Sequence, residues 1–155
     1  FAGLADEYYS SQVSYEDFVP AGTEPWEPNV TAMLDAAKLK WRDLVRPGTP
    51  LPTPWGKEAF DAVDLAYQKV RAEKIAAKAS EEEMEALFRE IKLKTAPMLR
   101  GDANFGKAGA FEGAAYQAKG LFRTEIDCIM FTRNPTSFCR VCERAIERVI
   151  DLYSR

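Results

Sequence analysis

The 155-residue chain contains no histidine, so the side chain that titrates nearest neutrality and serves most often as a metal ligand is missing. Long apolar runs are missing as well: none approaches the ~20 residues that a membrane-spanning helix needs. Nor does charge of one sign dominate. The 21 Lys and Arg against 24 Asp and Glu give a net charge of -3, and the basic residues are spread along the chain, which leaves no footprint for nucleic acid. The glycines between residues 101 and 123 are followed by no Gly-Lys-Ser/Thr ending and match no dinucleotide fingerprint, so nucleotide binding is unsupported. Cysteine is absent from the first 127 positions. No charged-then-apolar signal region opens the sequence at Phe1, and a start without methionine is expected of a processed or excised piece.

What is present describes a folded chain. Hydrophobic residues make up 46% and aromatics 12%, enough to exclude disorder on composition, and a chain of this size buries roughly two thirds of its unfolded surface. It is one domain or a large part of one. The cysteines Cys128, Cys139 and Cys142 are clustered. A bridge from Cys128 to Cys139 or Cys142 would tie a turn to the following helix and imply an oxidising compartment, with one thiol left over. The alternative is three reduced, half-buried thiols. As a structural zinc site the three sulfurs fall one ligand short, unless Asp127 or a partner chain supplies it.

Residues 1–28 mix aromatics, acids and prolines and read as ordered loop. Asn29-Val30-Thr31 is formally a glycosylation acceptor, but Thr31 also suits a helix cap before residues 32–37, which is the reading preferred here. A small apolar cluster of Leu39, Trp41 and Leu44 precedes Pro47, Pro50, Pro52 and Pro54, which exclude helix. From Lys57 to about Lys78, apolar residues including Phe60, Val63, Tyr67 and Val70 recur at helical spacing. Ser80 with Glu83 forms a capping box for a second helix carrying Met84, Leu87, Phe88 and Ile91. A helical hairpin over residues 57–95 is expected, serving as scaffold. Residues 101–123 read as irregular backbone lying close to other chain. Asn134-Pro135-Thr136-Ser137 then introduces a terminal helix whose stripe of Val141, Ala145, Ile146, Val149, Ile150 and Tyr153 should dock on the core. The expected class is α+β, predominantly α.

Three stretches carry a family resemblance: Gly3-Leu4-Ala5-Asp6-Glu7-Tyr8; Phe111-Glu112-Gly113-Ala114 with Tyr116 and Gly120-Leu121-Phe122-Arg123; and Cys128-Ile129-Met130 with Phe138-Cys139-Arg140-Val141-Cys142. On these the chain resembles the C-terminal part of the bacterial IgA-specific metallopeptidase family, whose members are metzincin-like zinc endopeptidases. The stretches reach both ends of the chain, and residues 57–100 add little.

The resemblance implies a zinc held by Asp6 and by two histidines of an H-E-x-x-H helix whose glutamate is the general base. The chain lacks that helix, which is expected just before Phe1 in the parent sequence, so the chain alone should not hydrolyse peptides. By the same resemblance Met130 packs beneath the metal as the methionine of a turn, and Phe131, Thr132 and Arg133 wall the pocket for a substrate side chain. Tyr116 and Tyr8 are candidates to donate to a developing oxyanion, and Glu112 to orient a ligand. The implied function is that of a zinc-dependent metalloendopeptidase acting on protein or peptide, in a secreted, periplasmic or cell-surface setting. The rival reading, favoured by the absence of histidine, is a noncatalytic helical protein-binding or scaffold module built on the hairpin.

Overall fold

The computed structural model describes residues 2–10 and 22–154. In chain order it contains β1 (Val30–Thr31), a 3-10 turn at Arg42–Leu44, α1 (Lys57–Ala76), α2 (Glu81–Arg100), β2 (Phe111–Ala114), β3 (Gln117–Arg123) and α3 (Arg140–Tyr153). The class is α+β, with helix outweighing strand. The strands form one antiparallel sheet in the order β1-β3-β2, so β3 is central and its last residues, Phe122 and Arg123, pair on both sides.

Pairing with β3 explains why the helix expected after Thr31 does not form. Val30 and Thr31 are taken up as strand, and the Thr31 hydroxyl accepts the Met33 N–H at 3.0 Å and donates to the Glu24 carboxylate at 2.8 Å. It caps a turn rather than a helix. The irregular backbone expected over residues 101–123 is likewise a hairpin from Phe111 onward, with a bulge between Glu112 and Ala114 at Gly113. Part of the loop expected over residues 1–28 lies outside the described residues.

The helical hairpin is present and runs on past residue 95 to Arg100. Pro97 lies inside α2; the carbonyl it leaves unpaired belongs to Leu93, which is 77% exposed and can be hydrated, so the proline is tolerated. The capping box at α2 forms as read: the Ser80 hydroxyl accepts the Glu83 N–H, and the Glu83 carboxylate accepts the Ser80 N–H at 2.9 Å. The start of α3 docks most deeply. Val141, Cys142 and Ala145 are buried, Ile146 and Val149 are half-buried, and Ile150 and Tyr153 stay exposed.

The core lies where the sheet meets the start of α3, the first turn of α1 and the end of α2. Trp41 is completely buried and its indole N–H donates to the Gly109 carbonyl at 2.6 Å. Around it Tyr9, Phe60 and Phe131 pack face to face or tilted, with Trp55 against their edges. Arg123, also fully buried, lies 3.8 Å over the Phe131 ring and donates to the carbonyls of Glu112, Gly113 and Ile126. A buried guanidinium is tolerated when aromatic faces and carbonyl dipoles replace its water.

Candidate active site

Residues 5–8 are held by hydrogen bonds from three directions. Asn29, completely buried, accepts the Ala5 N–H at 2.8 Å and donates to the Ala5 carbonyl and to the Glu7 carboxylate at 2.9 and 3.0 Å. This burial removes the glycosylation reading of Asn29. The Glu7 N–H donates to the Met130 carbonyl at 2.9 Å. On the other side the Ala115 and Tyr116 N–H groups donate to the Asp6 and Tyr8 carbonyls at 3.0 and 2.7 Å.

Ala115 and Tyr116 form the two-residue turn between β2 and β3, both with positive φ, 48° and 65°. This is the hairpin turn whose twist matches the strands, normally built from Asn and Gly, and each ordinary residue held there costs about 1–2 kcal/mol. The return for this strain is position: the Tyr116 hydroxyl donates to Asp6 Oδ2 at 2.7 Å, while the Tyr8 N–H donates to Asp6 Oδ1 at 2.9 Å. Gly113, at φ 104°, completes the arrangement, since a Cβ there would sit 2.3 Å from the Tyr9 ring.

A cavity of about 390 Å³ opens beside this segment. It is lined by Asp6, Tyr8 and Met130, by residues of α1 and α2, and by residues 131–134. Its apolar lining includes Phe60, Tyr67, Phe88 and Ile91, and Arg71, Lys92 and Arg133 bring positive charge to it. The hairpin therefore lines the cavity as well as bracing the fold.

The structure brings Asp6 and Met130 into the lining of one cavity, both half-buried. Phe131 also reaches the cavity, but it is 3% exposed and stacked on Tyr9, which makes it chiefly a core residue. Thr132 lines the cavity while its hydroxyl donates to Asp127 at 2.6 Å. Arg133 is exposed and lies 4.1 Å over the Phe88 ring, the most accessible of the three. Tyr8 accepts from Gln68 at 2.6 Å and meets Tyr116 edge-on; burial pushes its hydroxyl up to about 12. Glu112 is not in the cavity lining, and its carboxylate accepts the Gly120 N–H within the hairpin.

The three cysteines converge, buried and free of disulfide, so neither pairing considered from the sequence is formed. Asp127 does not join them: it accepts from Thr132, Asn134 and the Cys128 N–H. Glu7 does. Its Oε1 lies 3.5 Å from Cys142 Sγ and 4.0 Å from Cys139 Sγ, and Cys128 Sγ is 4.0 Å from Cys142 Sγ. Burial drives the Glu7 carboxyl up to about 8. Hydrogen bonding among the sulfurs holds the Cys139 thiol below its ordinary range and pushes Cys128 and Cys142 up. Glu7 is the residue that sequence reasoning missed. The available signal was the two-residue spacing of Cys139 and Cys142, a common ligand pair, which calls for a fourth donor from elsewhere in the chain.

A family model described as IgA Peptidase M64 matches residues 1–150. No curated protein matches the chain.

Proposed function

The chain belongs to the IgA peptidase M64 family, whose members are metallopeptidases, and we propose on that premise that it forms the part of a zinc endopeptidase that supplies one metal ligand, the methionine beneath the metal and the pocket for a substrate side chain. The observation that carries this reading is that Asp6 and Met130 line a single cavity, with the next residue, Glu7, donating its backbone N–H to the Met130 carbonyl at 2.9 Å.

Asp6 fits a metal ligand. Each carboxylate oxygen has two acceptor sites, so one hydrogen bond to Oδ1 and one to Oδ2 leave room for a metal while fixing the orientation, as outer partners of ligands do. With no histidine, the other two protein ligands of the metzincin-like set have to come from an H-E-x-x-H helix outside this chain. Zinc so held would lower the pKa of a bound water towards ~7 and polarise the scissile carbonyl. Tyr116 acts here as a positioning residue, its proton directed at Asp6 rather than at a substrate oxygen. The apolar walls of the cavity receive an extended peptide's side chain, and Arg133 offers it a positive charge. A location in the periplasm, on the cell surface or outside the cell belongs to the same proposal.

The test uses the intact protein including its H-E-x-x-H helix. Asp6→Ala should lose the activity-linked zinc and reduce endopeptidase turnover by more than the roughly 10–100-fold typical of outer partners, and Tyr116→Phe should fall within that range. Undiminished turnover and zinc content in Asp6→Ala would reject the reading and favour a noncatalytic binding module.

A further inference from the structure

We propose that Glu7, Cys128, Cys139 and Cys142 form a second metal site, a closed structural zinc centre separate from the Asp6 cavity. Their four donor atoms all lie within 4.8 Å of one another, and all four residues are buried. A tetrahedral zinc with bonds of ~2.3 Å to sulfur and ~2.0–2.2 Å to oxygen sets its donors roughly 3.5–3.8 Å apart. The 3.5 Å from Cys142 to Glu7 and the 4.0 Å from Cys142 to Cys128 and from Cys139 to Glu7 come close to those edges. A disulfide instead needs the sulfurs at ~2.05 Å, so the cage suits an ion better than a bridge.

Polar groups outside the cluster reach three of its four donors. The Cys139 and Met130 N–H groups donate to Cys128 Sγ at 3.3 and 3.5 Å, Thr124 Oγ1 is 2.9 Å from Cys139 Sγ, and Asn29 donates to Glu7 Oε1 at 3.0 Å. Such outer partners orient ligands. A second, independent observation is the other Glu7 oxygen: Oε2 is fully buried and has no hydrogen-bond partner among the described residues. An orphaned buried carboxylate oxygen is costly, and a cation coordinated by its partner oxygen offsets that cost.

Three soft thiolates and one oxygen select zinc over calcium or magnesium. Four protein donors in a buried set leave no position open for substrate, which makes the site structural. Its consequence is mechanical. The metal would clamp the segment carrying Asp6 to the turn at Cys128 and to the start of α3, and it would keep the thiolates from oxidising in a disulfide-forming compartment.

The protein is purified without chelator and its zinc is exchanged for cobalt(II). Sulfur-to-cobalt charge-transfer absorption with intense tetrahedral visible bands is expected in the parent and in Asp6→Ala, and is expected to vanish in Cys142→Ser. Glu7→Gln, which keeps the volume, should weaken zinc at least as much as the roughly 10–100-fold loss of an outer partner. In the unsubstituted protein, mercurial modification of the thiols should release zinc in step with thiol reaction, a readout independent of whether the serine variant folds. Absence of the charge-transfer bands, or a protein mass showing a disulfide, would overturn the proposal. Because the thiolate signature does not pass through Asp6, failure here and failure of the peptidase reading give different results.

Discussion

The Asn29 side chain satisfies both backbone groups of half-buried Ala5 and shares one Glu7 oxygen with Cys142. Asn29→Ala is expected to cost about 3 kcal/mol, because the two Ala5 groups left unpaired lose about 1–3 kcal/mol each and some water re-entry softens the sum; urea denaturation of the variant measures it. Gly113 is equally specific. Alanine there would combine a φ of 104° with a Cβ 2.3 Å from the Tyr9 ring, and Gly113→Ala should destabilise by about 3 kcal/mol or more. A loss below about 1 kcal/mol, within the range of ordinary surface changes and mild repacking, would mean that the ring and strand part freely. Neither residue stands out in the sequence. Asn29 reads as part of a common tripeptide and Gly113 as one glycine among several, because their importance lies in contacts with residues more than twenty and more than a hundred positions away.

At the scale of elements, legibility follows the range of the interactions involved. The capping box at α2 is readable because its partners lie three residues apart, and Ser80→Ala should cost about 1 kcal/mol, seen as faster amide exchange in the first turn of α2. The helix stripes of α1 and α2 are readable by periodicity, although not the end at Arg100, since hydration of one exposed carbonyl carries the helix past Pro97. The strands are not readable. β1 has two residues and exists only through pairing with β3 some ninety positions later, and the β2–β3 turn uses Ala115 and Tyr116 where a sequence signal would need Asn-Gly. Ala115→Gly tests the cost of that turn: relief of about 1–2 kcal/mol of left-handed strain against the ~0.5–1 kcal/mol entropy of glycine should raise stability by about 0.5–1 kcal/mol in thermal unfolding, with Tyr116 still bound to Asp6.

For the whole molecule, the proposed site depends on bringing the first ten residues against the turn at residues 127–134 and the start of α3. That Asp6 and Met130 share a concavity follows from motif order, which survives in a linear sequence, whereas the approach of Glu7 to Cys139 and Cys142 across 132 and 135 positions does not. The same convergence places the cavity between that turn and the hairpin, an arrangement that the periodicity of α1 and α2 cannot reveal by itself. If this packing serves metal chemistry, stripping the metal should loosen the N-terminal segment more than the hairpin, which amide exchange with and without chelator would show. The most direct measurement is anomalous scattering at the zinc edge from crystals of the intact protein. The account predicts a peak about 2.0–2.2 Å from an Asp6 carboxylate oxygen, in the cavity that Met130 also lines. A fully loaded, active crystal with no anomalous density beside Asp6 would contradict it.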